Sequence, residues 1–112
     1  MEAARLWEGW SAPPALRFEE IEDVLCRSRG VPIRRLMGSR VGAHAALRSV
    51  LLALGSDVLL MPIGRCAEAY SMTLGGALKS AERGRRMLSE DAALRAELAE
   101  VLGPTLGLVV PE

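Results

Sequence analysis

From Phe18 onward, every long segment of the chain returns to an apolar side chain at three- and four-residue intervals, and each run is bounded by a capping or stop residue. That spacing matches the turn of an α-helix and turns one face of each segment towards a core. Phe18, Ile21, Val24 and Leu25 define a first helix, which Gly30 is placed to end with a left-handed C-terminal residue. "VPIRRLMG" has room for one or two turns between Pro32 and Gly38. Ser39 can cap a third helix, "RVGAHAALRSVLLALG", whose buried stripe includes Leu47, Val50, Leu51 and Leu54. Pro62 suits the first turn of a short helix, and Ser71 can cap a long one running to about Leu88. The last helix, "EDAALRAELAEVL", is expected to be capped by Ser89 and closed by Gly103-Pro104. The apolar tail "LGLVVP" follows, and no segment before it reads as a strand. The pattern predicts an all-α bundle of five or six helices containing a helix-turn-helix at about 61–88.

Composition supports the same class. Only Trp7, Trp10, Phe18 and Tyr70 are aromatic, so the core must be built from Leu, Val, Ile, Met and Ala, which suit helices better than a β-sandwich. A chain of 112 residues is one domain. Residues 1–16 read as an N-terminal extension, in which "ARLWEGW" sets Leu6, Trp7 and Trp10 on one side before "SAPPA" ends it. Residues 17–103 form the helical domain and 104–112 a tail.

Several classes of chemistry find no support. Cys26 and Cys66 lie far apart without a C-x-x-C pattern, so they read as small apolar fillers rather than a disulfide or zinc framework. His44 is the only histidine and has no acidic residue at i±3 or i±4. The nucleotide, zinc-protease and serine-hydrolase motifs are all missing, and the expectation is a protein that is not an enzyme and needs no metal or cofactor. The carboxylates Glu19/Glu20 and Glu22/Asp23 are expected at exposed positions around the first helix's apolar stripe. No apolar run reaches the roughly 18 residues needed to span a bilayer, and the acidic start lacks the basic region of a signal peptide. These features predict a cytoplasmic protein without a membrane segment.

Charge is distributed unevenly. Residues 27–86 carry eleven bases against three acids, a local charge of +8, whereas each flank carries −4. A basic centre between acidic ends is what a nucleic-acid-binding face requires.

The motifs in that centre, taken in order, resemble the C-terminal DNA-binding domain of the bacterial replication initiator DnaA and its relatives appended to transposases of repetitive elements. "GVPIRRLMGSR" follows the family's G-V-x-x-x-x-L-x-G-x-S-R joint, one residue shorter before the Ser-Arg pair. "PIGR" follows E-I-G-R, "TLGGALKSAE" follows T-V-x-x-A-x-R-x-x-E, and "LSEDAALRAELAEVL" is similar to the final helix. The likeness covers Phe18 to Leu102. It implies a helix-turn-helix module for double-stranded DNA, either as a stand-alone protein or as the separated tail of a transposase or regulator. Arg40 would enter a minor groove, Arg48 would hold a phosphate, and Ser71, Thr73, Gly76 and Lys79 would lie at or near the major groove. The family's Asp-His-Ser/Thr-Thr entry to its recognition helix is here Tyr70, Ser71, Met72 and Thr73, so only the threonine is kept. Backbone contacts with weak sequence preference are therefore expected.

Gly75 and Gly76 stand in "AYSMTLGGALKSAER", where each costs a helix interior about 1 kcal/mol relative to alanine. On a helix starting at Ser71, Leu74, Ala77, Leu78 and Ala81 form the core stripe and both glycines face outward. They then leave a bare groove for a phosphate backbone or for an incoming helix. The alternative function is accordingly a protein-interaction module on the same fold, with a partner held through Trp7, Trp10 or the Gly75-Gly76 face.

Overall fold

The structure, a computed structural model, describes residues 17–37 and 42–106, with side chains as far as Leu102. Within them lie five α-helices and one 3₁₀ turn: α1 (Phe18–Arg29), the 3₁₀ turn (Ile33–Leu36), α2 (Gly42–Asp57), α3 (Ile63–Ala69), α4 (Leu74–Glu90) and α5 (Ala92–Leu106). No strand occurs among the described residues, and the all-α expectation holds. Among the described residues no helix is long and apolar enough to cross a membrane. The N-terminal extension with Trp7 and Trp10, the Ser39 cap and the last six residues lie outside the described part.

α2 is the central pillar. The sequence predicts a stripe, but every residue from Ser49 to Gly55 is buried, so this stretch is covered on all sides. α1, the 3₁₀ turn, α3 and α4 all pack on it. Phe18, Ile21 and Leu25 supply the inner face of α1, and Leu94, Leu98 and Leu102 that of α5.

Two glycines let helices approach α2 closely. A Cβ on Gly84 of α4 would stand 2.0 Å from the Ser49 carbonyl oxygen and 3.1 Å from the Ala53 Cβ. One turn earlier, the Ser80 and Ser49 hydroxyls share a hydrogen bond of 2.8 Å. On α2 itself, a Cβ on Gly55 would meet the Phe18 ring at 2.9 Å and the Cys66 Sγ at 3.2 Å. α4 turns Ala77, Ala81, Gly84 and Leu88 inward, all of them buried, and meets α2 at Ser80 and Gly84. This corrects the expected stripe. Leu74 and Leu78 are 54% and 49% exposed, because the close approach is open only to small side chains and rolls the leucines to the outer flank.

The joints differ from expectation in detail. Gly30 does end α1 with φ 67°, and the Val31 N–H bonds back to the Cys26 carbonyl at 2.9 Å. α4 continues through Ser89 to Glu90, since Met87 and Leu88 are still packed on the core. Asp91, not Ser89, caps α5 by accepting the Leu94 N–H at 2.9 Å. Arg95 then covers the end of α4, donating to the carbonyls of Leu88 (2.7 Å) and Ser89 (3.1 Å). α5 runs past Gly103-Pro104 to Leu106; Pro104 removes one intrahelical donor, and the rest of the ladder carries the helix on.

The two kinds of glycine in α4 should respond oppositely to alanine. Gly84→Ala sets a methyl against backbone and should destabilise the fold by about 3 kcal/mol or more. Gly75→Ala points into open space and should stabilise it by up to about 1 kcal/mol. Urea unfolding of the two variants beside the wild type measures both.

Candidate nucleic-acid interface

α3, the turn Tyr70–Thr73 and α4 form the region expected to meet a partner. α3 opens at Pro62 and closes with Tyr70, after which Ser71 takes the left-handed conformation at φ 53°. The Met72 N–H reaches back to the Ala67 carbonyl at 2.8 Å and the Ser71 N–H to that of Glu68 at 3.2 Å, which satisfies the last carbonyls of α3. Ser71 is thereby committed to ending α3 and is in the wrong conformation to cap α4. Thr73 does so instead, with φ −71° and ψ 156°, its Oγ1 accepting the Gly76 N–H at 3.1 Å. The cap of α4 thus lies two residues later than its sequence suggests, and Gly75 and Gly76 fall in the first turn of the helix.

The turn is pinned from behind. Tyr70 is 1% exposed, its ring is set edge-on to Phe18 with centroids 6.1 Å apart, and its hydroxyl donates to the Glu22 Oε2 at 2.6 Å. Glu22 therefore does not belong to a solvated face, as its sequence position suggests; it is buried in α1. Burial raises its pKa, with Glu19 and Asp23 adding to the effect and the Tyr70 bond opposing it. Burial pushes the Cys26 thiol up to about 11, aided by Glu22 and Asp23, and raises that of Cys66 as well. Both cysteines are free and buried, in keeping with a filling role rather than thiolate chemistry. Among the described residues no cluster of His, Cys, Asp and Glu is arranged to hold a metal.

Of the expected site residues, Ser71, Thr73, Gly76 and Lys79 lie in the turn before α4 or in its first two turns. Arg40 lies outside the described residues. Arg48 is half-buried and its Nη1 donates to the Leu36 carbonyl at 2.6 Å, tying α2 to the 3₁₀ turn. Ser71, Thr73 and Lys79 are exposed. Gly75 faces open space, whereas the space beside Gly76 is taken by Thr73 Oγ1 at 3.1 Å and Met72 Cε at 3.9 Å, so the bare groove is confined to Gly75.

The central bases also divide. Arg27 pairs with Asp23, Arg29 with Glu97 at 3.0 Å, and Arg85 with Asp57 at 2.8 Å, so acids from both flanks neutralise two of them. Arg34 and Arg35 on the 3₁₀ turn, Arg65 on α3, and Lys79, Arg83 and Arg86 on α4 are exposed and form no ion pair with a described residue. At about 100° per residue, Lys79, Arg83 and Arg86 fall on the side of α4 opposite its buried stripe, with Glu82 as the one acid between them in sequence. Family models, curated proteins and solved structures give no match to this chain.

Two features that the sequence pattern does not reveal have measurable consequences. Because the folded pKa of Glu22 is raised, its carboxyl favours folding most below the ordinary glutamate range, and that contribution is lost as pH rises through the folded value. Glu22→Gln keeps an acceptor for Tyr70 and should match the wild type near pH 4 but be more stable at pH 7, as read from urea midpoints. Thr73→Ala should cost about 1 kcal/mol at either pH through loss of the cap, and the same urea midpoints measure it.

Proposed function

We infer that this domain binds double-stranded DNA, chiefly through its backbone, with the head of α4 towards the major groove. The observation that carries the reading is the line of exposed bases Lys79, Arg83 and Arg86, which form no ion pair with a described residue, along a helix whose start is fixed by a capped turn. A helix about 25 Å long with cations along its outer side fits a groove flanked by phosphates. The likeness of the motifs to the DnaA C-terminal domain supports the same placement, with Arg40 as a minor-groove contact. Arg48 enters this reading as a brace for the 3₁₀ turn rather than as a phosphate contact, since its guanidinium already serves the Leu36 carbonyl.

Ser71 and Thr73 discriminate poorly between bases, and Thr73 already accepts a backbone N–H. Affinity then rests on charge. Binding to unrelated duplexes should be micromolar or weaker at physiological salt and fall steeply as salt rises.

Titration of mixed-sequence duplexes at several salt concentrations tests the proposal. Lys79→Ala, Arg83→Ala and Arg86→Ala should each weaken binding to every duplex and flatten the log K against log salt slope by about 0.9 for each phosphate that is no longer neutralised. Arg40→Ala should act in the same way. Glu82→Gln should strengthen binding by removing a carboxylate from the phosphate-facing side. A salt-independent response, or none, would count against DNA and favour the protein-interaction alternative.

A further inference from the structure

We propose that Trp10 of the N-terminal extension docks into an apolar cavity between the helices, with its ring against Arg29. The cavity, about 220 Å³, lies where α1, α2, α4 and α5 come together and is lined chiefly by aliphatic side chains, among them Leu25, Ala46, Met87, Leu94 and Leu98. Protein interiors are close-packed, and a space walled by aliphatic groups gives water few polar partners. An apolar side chain is therefore its natural occupant. Arg29 is the charged residue of the lining; it is exposed and marks the mouth. The Glu97 carboxylate holds its guanidinium at 3.0 Å. Tryptophan suits such a place because it joins an apolar body to a single N–H. Arg29 stacks on the face of the ring, and the Glu97 carboxylate beside it offers the N–H an acceptor.

The length of chain before α1 is sufficient to reach the cavity. Arg17, at the N-cap of α1, is extended with φ −108° and ψ 153°, so the backbone leaves the helical path there. Leu25 and Arg29 lie about 10 to 17 Å along α1 from Phe18. The segment from Trp10 to Phe18 spans up to about 26 Å when extended, and Pro13 and Pro14 disfavour a helix that would shorten it. Trp10 is nearer to α1 than Trp7, so its docking orders less chain. The chain beyond Leu106 offers Leu108, Val109 and Val110, which bring less apolar surface than an indole and gain nothing from Arg29.

Tryptophan fluorescence tests the docking directly, because Trp7 and Trp10 are the only tryptophans and Trp7→Phe leaves Trp10 as the sole emitter. In that variant the emission should lie to the blue of free N-acetyltryptophanamide, with acrylamide quenching several-fold weaker, at every protein concentration. Adding Ala46→Met, which fills the cavity from α2, should move the emission to the red and raise quenching to that of the free amide. Circular dichroism and a thermal melt verify that this variant folds. Independently, Trp10→Ala should be stabilised by added indole, its melting midpoint rising with indole concentration, whereas the wild-type midpoint should not move. If Ala46→Met does not fold, the indole comparison decides alone. Solvent-like emission in Trp7→Phe would overturn the proposal, whatever else then covers the cavity. Protection that survives Ala46→Met would place Trp10 elsewhere on the domain and overturn it as well. Protection lost on dilution would assign the cavity to the extension of a second copy, which also counts against it. An indole response that is the same in wild type and Trp10→Ala, present or absent, would show that Trp10 is not the occupant.

Discussion

The contact between α2 and α4 depends on an atom that is not there. With no side chain at Gly84, the α4 backbone comes against the Ser49 carbonyl, and Ala77 and Ala81 are buried on the same side of the helix. Once that contact is fixed, the rotation of α4 about its own axis has no freedom left. Leucines 74 and 78 must lie on the outer flank, and Lys79, Arg83 and Arg86 must face away from the core. The disposition of charge and apolar surface on the exposed side is thus a consequence of packing on the buried side.

A second constraint fixes where α4 begins. Ser71 adopts a left-handed conformation without being glycine, so the turn keeps a residue that ordinarily disfavours it. The buried Tyr70–Glu22 hydrogen bond and the Phe18 ring hold the preceding residue in place. Local strain is maintained here by long-range contacts, and the helix start is the element it serves.

Much of the fold is legible in the sequence because it rests on local rules. Apolar periodicity locates the four long helices among the described residues, and Gly30 ends α1 and Pro62 opens α3 by their own backbone preferences. The misreadings arise where two segments decide together. Leu74 and Leu78 look like core residues by size, and only the neighbouring helix makes Gly84 the packing position. Glu22 looks solvated, and only Tyr70, 48 residues on, makes it buried. Even so, Ala77, Ala81, Gly84 and Leu88 repeat at the spacing of a helix face, and the small size of the first three marks the close approach. The charge of +8 in the middle of the chain is visible in the sequence, but not that Asp23, Asp57 and Glu97 neutralise three of its arginines.

The Tyr70–Glu22 bond joins the turn before α4 to the first described helix of the chain, across nearly half its length. The segment from α3 to α4 consequently has its geometry set by residues it does not contain. Cut out as a peptide, it would lose both Phe18 and Glu22, and the ordering of Ser71 would have to be met from local contacts alone. In folding, loop closure between α1 and α3 must precede or accompany the setting of that turn. The start of α4 is therefore a property of the completed domain and not of the α3–α4 segment alone.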